Sequence, residues 1–80
     1  MKVYFRTQLE DGLIEKGKIL RLITSKRTYI VTGDKEENAI RLTSFDDELE
    51  AKQTFEQIIS RIVSPTAREV EKGIIYIDLG

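Results

Sequence analysis

The hydrophobic pattern of this chain changes period once. Through residues 2–9, Val3, Phe5, Thr7 and Leu9 alternate with Tyr4, Arg6 and Gln8. A period of two marks a strand with one buried face. Glu10-Asp11-Gly12 follows as a turn, because Asp bonds its own backbone and Gly accepts positive φ. Leu13 and Ile14 begin a further extended stretch, within which Gly17 predicts a bulge or a bend. Residues 18–24 form the next strand, with Leu20 and Leu22 on one side and Ile19, Arg21 and Ile23 on the other. Ser25-Lys26-Arg27 turns the chain into a β-branched strand over 28–32. A polar loop, 33–38, leads to a strand over 39–44 in which Ile40 and Leu42 oppose Arg41 and Thr43. Successive strands joined by short turns read as a meander.

From Asp47 the period becomes 3.6. Ala51, Phe55, Ile58, Ile59 and Ile62 form one stripe of an amphipathic helix. Asp47 is placed to accept from first-turn amides, with Glu50 answering as in a capping box. Pro65 cannot continue the helix and pushes Ser64 out of the α region, so the helix ends near Val63. Residues 66–72 fit either a loop or a short helical turn. Gly73 opens a last apolar strand, 74–79. An open edge on such a strand invites another chain, so it pairs either within the sheet or across a dimer. The expected fold class is α+β: an antiparallel β-meander of about four strands, one amphipathic helix packed on one face, and a C-terminal strand. The expected core draws Val3, Phe5, Leu20, Leu22, Val31, Ile40 and Leu42 from the strands and Phe55, Ile58 and Ile62 from the helix.

Eighty residues make a single domain, 1–80. Such a chain buries roughly 60% of its unfolded surface, so its core is thin. Small domains often add disulfides, a metal or a partner chain. The sequence holds no Cys and no His, which removes disulfides and the usual structural zinc sets. Association with another chain is the device left. No window approaches the ~20 apolar residues of a membrane-spanning helix. The first apolar stretch is broken by Arg6 and carries no small-residue cleavage site, so no signal peptide and a cytoplasmic location are expected.

The net charge is −1, but unevenly spread. Residues 1–45 carry nine basic and six acidic side chains; residues 46–80 carry four and eight. Acidic residues suit the positive end of a helix, which accounts for Asp46, Asp47, Glu48 and Glu50. The basic excess falls on the strands, and a basic sheet surface suits an acidic partner.

Catalysis has little to stand on. The commonest general base and the thiol nucleophile are both missing. The loop 33–38 has acids without the alternating spacing of a calcium loop, and the five glycines form no phosphate loop before a helix. No catalytic, metal or cofactor residue is assigned, and no cofactor is expected.

The strand face turned away from the helix is the candidate surface. Tyr4, Ile19, Arg21, Ile23, Ile74 and Tyr76 are the expected interface, since aliphatic groups there need cover that water-facing Arg does not. The expected partner is a second copy of the chain or another protein. Nucleic acid is the alternative, with Arg6, Arg21 and Arg41 as contacts; the pI of about 5.4 argues against it.

Two segments carry a resemblance: Arg6-Thr7-Gln8 in the first strand, and Phe45-Asp46-Asp47-Glu48-Leu49-Glu50-Ala51 at the helix start. Over residues 2–63 the chain resembles short meander-plus-helix proteins of Gram-positive bacteria and their phages. It departs from them in residues 64–80, which add the final strand. The resemblance implies a small accessory protein of a phage or mobile element, and transfers no functional residue.

Overall fold

A computed structural model describes residues 1–8 and 12–80; Leu9 and the Glu10-Asp11 part of the expected turn lie outside the described residues. In chain order the elements are β1 (Lys2–Arg6), β2 (Leu13–Glu15), β3 (Ile19–Thr24), β4 (Thr28–Gly33), a 3-10 turn (Glu36–Asn38), β5 (Ile40–Phe45), α1 (Glu48–Val63), α2 (Ala67–Lys72) and β6 (Ile74–Asp78). The fold is α+β, and the main helix packs on strands β3, β4 and β5.

The described strands form two three-stranded sheets, ordered β2-β1-β6 and β3-β4-β5. The second is an antiparallel meander. In the first, β6 lies parallel to β1, with Val3 beside Ile75 and Phe5 beside Ile77. A parallel neighbour needs a long crossover, and here all the elements from β2 to α2 lie between β1 and β6 in the chain. The last strand is thus paired within the subunit.

Both sheets face one core. Val3, Phe5, Ile30, Leu42, Ile58, Ile75 and Ile77 are buried together, with Leu20, Leu22, Phe45, Phe55 and Ile62 packed around them. Two expected core residues are placed differently: Val31 by its alternation with Ile30 and Thr32 in β4, and Ile40 by its place at the start of an edge strand. The β4–β5 register runs Ile30 opposite Thr43, then Val31 opposite Arg41, leaving Leu42 as the extra residue. Beyond this extra residue Arg41 faces outward opposite Val31, and Ile40 stays on the side of Thr32 and Leu20. Leu42 turns fully inward, while Ile40 at the strand's start is 42% exposed. Val31 is buried at 3% exposure, but on the face away from the helix and outside the main core cluster.

The expected bend at Gly17 joins the two sheets. A Cβ there would lie 2.4 Å from the Gly33 carbonyl carbon, so the two backbones touch. The Gly17 amide donates to Thr32 Oγ1 at 2.9 Å, and that hydroxyl donates to the Ile19 carbonyl at 2.7 Å. Thr32, 1% exposed, therefore satisfies two backbone groups that the bend frees from the ladder.

Asp47 caps α1 by accepting from the Leu49 amide at 2.9 Å. Glu50 does not complete a box; the reciprocal box forms instead on α2, where Thr66 Oγ1 accepts from the Glu69 amide and Glu69 Oε1 from the Thr66 amide. Of the helix stripe, Ala51 and Ile58 are buried and Ile59 is exposed. Gly73, with φ +72°, ends α2 in the left-handed region and turns the chain directly into β6.

Candidate interaction surfaces

Side chains directly opposite each other across a ladder share a face, so the registers assign each outward residue. On β3-β4-β5 the face away from α1 carries Ile19, Arg21 and Ile23 from β3, Tyr29 and Val31 from β4, and Arg41 from β5. On β2-β1-β6 the face away from the core carries Lys2, Tyr4 and Arg6 from β1, and Ile74, Tyr76 and Asp78 from β6. The six expected interface residues are thus brought together as two groups of three, one on each sheet. The three arginines divide likewise: Arg21 and Arg41 flank Val31, while Arg6 lies on the other sheet beside Asp78.

The β3-β4-β5 face is a layer of arginine over aliphatic groups. The Arg41 guanidinium lies 4.2 Å above the Tyr29 ring centroid, a cation–π geometry. Arg21 is ion-paired with Glu36 of the 3-10 turn. Val31, with Arg21 and Arg41 opposite it on the neighbouring strands, is buried. Ile23 at the tip is still 43% exposed. β3, like β5, is an edge strand of six residues, and its outer flank pairs with no strand among the described residues. The first sheet manages its edges: β2 has only three residues, and Arg61 donates to the Tyr76 carbonyl of β6 at 3.3 Å.

The β2-β1-β6 face is built around two aromatic rings. Tyr4 and Tyr76 stack with centroids 5.8 Å apart and planes 25° from parallel. Tyr76 is 56% exposed. Alongside it stands α2, whose Glu69 pairs with Arg61 at 2.5 Å. The hydrogen bond from the Thr66 amide, helped by the nearby Arg61 charge, holds the Glu69 carboxyl below the usual carboxylate range.

The sequence pattern assigns no role to Tyr29, Arg61, Arg68 or Lys72. Tyr29 lies in a strand whose register with Arg41 depends on the bulge, so no local pattern marks it. A signal for α2 was present: Thr66-Ala67-Arg68-Glu69 is the S/T-x-x-E capping pattern.

The two faces define the class: a small α+β domain whose sheets each present an outward surface with exposed apolar or aromatic side chains, one of them flanked by α2. Among the described residues, no group of three Asp or Glu side chains gathers as a metal site, and no helix is long and apolar enough to cross a membrane. Comparison of the chain with protein-family models, with curated proteins and with solved structures returned no match.

Proposed function

We propose that this chain is a small, non-catalytic, cytoplasmic accessory protein that acts as an interaction module by associating with a second copy of itself through β3 and the adjoining outer face. The observation that carries the reading is the open, apolar β3 edge, with Ile23 exposed beside it. An edge of this kind presents unpaired amides and carbonyls to any strand that can align with it.

The sequence of β3 suits self-pairing. In an antiparallel pair about a two-fold axis, placing Leu22 opposite the partner's Leu22 sets Arg21 opposite the partner's Ile23. Like charges then never meet, and the two three-stranded sheets become one of six strands. The register centred on Arg21 would oppose two guanidinium groups and is disfavoured. Leu20 and Leu22, half-buried on the core side of the same edge, gain cover, and Ile19 and Ile23 join across the outer face. Full burial of an aliphatic side chain contributes about 1.5–3 kcal/mol, and the partial burial left to each here contributes about half that, set against the cost of association. The balance describes a dimer that dilution separates.

Light scattering coupled to size exclusion over a dilution series tests this. The mass is expected to fall from dimer to monomer on dilution, and Ile23→Lys, an exposed position the fold does not need, is expected to give monomer throughout. A wild-type chain that is monomeric at every concentration, or an Ile23→Lys chain that associates as the wild type does, refutes it.

A further inference from the structure

The second outward face holds a cavity that self-association through β3 does not use. It lies between the outward side of β6 and α2, has a volume of about 340 Å³, and is lined by Ile74 and Tyr76 on one wall and by Arg68, Glu69 and Lys72 of α2 on the other. That volume is at the lower end of the range for small-molecule sites, roughly 300–1,000 Å³.

Three features of its lining point to one ligand chemistry. Tyr76 has a ring neighbour, Tyr4, and yet is more than half exposed and borders the cavity. A planar ligand ring entering there continues the stack. Glu69 is spoken for by Arg61 and by the Thr66 amide. Arg61 is spent in turn on Glu69 and the Tyr76 carbonyl. Arg68 and Lys72, one helical turn apart on α2, have no ion-pair partner among the described residues, so the cavity wall carries two uncompensated positive charges. Arg offers a planar fork to an oxyanion and Lys a mobile point charge. An aromatic platform facing two free cations matches a flat ring that bears a phosphate.

We infer that the slot between Tyr76 and α2 binds the nucleotide unit, a heteroaromatic base stacked on Tyr76 with its phosphate held by Arg68 and Lys72. The source is either a free mononucleotide or the 5′-phosphorylated end of a single strand. In the second case the strand runs on over Tyr4 between Lys2 and Arg6, which share this face. Base stacking on aromatic rings is sequence-tolerant and phosphate contacts are salt-sensitive, so weak affinity that falls with salt is the expected signature.

The chain's 80 residues suit amide chemical-shift titration by NMR. The probes are adenosine monophosphate, adenosine, inorganic phosphate and a 5′-phosphorylated trinucleotide, each at low and moderate salt. Adenosine monophosphate is expected to shift the amides of residues 68–76 and to bind more tightly than adenosine or phosphate alone. Tyr76→Leu is expected to weaken it roughly tenfold while leaving phosphate binding unchanged. Arg68→Gln with Lys72→Gln is expected to weaken both by about tenfold or more. Tighter binding of the trinucleotide assigns the slot to a strand end; equal binding assigns it to the free nucleotide. Arg21→Gln, on the other sheet, is expected to change nothing. No shifts with adenosine monophosphate at low salt, or adenosine binding as tightly as its monophosphate, overturns the inference.

Discussion

Replacing Gly17 by alanine tests the joint between the two sheets. Gly17 does not lie in the left-handed region, where Gly12, Gly73 and Gly80 do, so its backbone suits an alanine. In an unobstructed position the substitution would stabilise the fold by about 0.4–1 kcal/mol, through a less flexible unfolded chain. Here the new Cβ would meet Gly33 carbonyl carbon at 2.4 Å, its oxygen at 2.5 Å and its Cα at 2.8 Å. Carbon atoms rest at about 3.5–4.0 Å, so one backbone must retreat by roughly 1 Å. All three obstacles are main chain, and no side chain can swing aside. Overpacking of this kind costs about 1–3 kcal/mol. The retreat also stretches the Gly17 amide bond to Thr32 Oγ1, worth about 1 kcal/mol. Less the entropic gain, Gly17→Ala is expected to destabilise by about 2–3 kcal/mol, which in a domain of this size lowers Tm by roughly 10–20 °C. Urea and thermal unfolding followed by circular dichroism measure it. Gly12→Ala is the control: its φ is +82° and no described residue lies within 4 Å of the new Cβ, so it reports backbone strain, about 1–2 kcal/mol. A Gly17→Ala chain at least as stable as the wild type would refute the close approach.

Three further outcomes follow from the packing and the caps. Ile58→Ala, at 2% exposure in the core cluster, is expected to cost about 2–5 kcal/mol, whereas Ile40→Ala, at 42% exposure, is expected to cost under about 1 kcal/mol; equal losses in chemical denaturation would contradict this difference in burial. Asp47→Ala removes the oxygen that accepts from the Leu49 amide and is expected to lower stability by about 1 kcal/mol; an unchanged urea midpoint would argue against the cap. Glu69 has its pKa lowered in the folded state, so its stabilising effect is present above the ordinary carboxylate value and fades as pH falls through the lowered one. The protection factors of the Val70 and Gly73 amides, which bond to Thr66 and Glu69 carbonyls, are therefore expected to drop in acid, and Glu69→Gln is expected to remove that dependence; a wild-type profile flat into acid would count against it.

How much of this was legible along the chain depends on range. The helix over 48–63 was plain, because its stripe, its Asp47 cap and its Pro65 stop all lie within a few residues of what they act on. The meander β3-β4-β5 was legible for the same reason: turns set neighbours in register. The bulge was not, because it depends on how β4 and β5 align rather than on the pattern of either. Ile40 and Leu42 look alike in sequence, yet Leu42 is fully buried while Ile40, first in an edge strand, is 42% exposed. The candidate surfaces divided in the same way. Ile19, Arg21 and Ile23 were grouped correctly by alternation, while their assignment to one face with Tyr4 and Tyr76 required a single sheet that the fold does not have.

By itself, then, the sequence determined which side chains of one element share a side, where the main helix begins and stops, and that neither disulfide nor imidazole chemistry is present. Only the tertiary structure decided that β6 returns beside β1, bringing Tyr76 against Tyr4, that α2 stands next to that ring with two cations in no ion pair among the described residues, and that β3 is an edge strand. Periodicity records a preference for burial but not the surface that satisfies it. That surface is chosen when distant segments close on one another, at contacts such as Gly17 on Gly33 where backbone meets backbone.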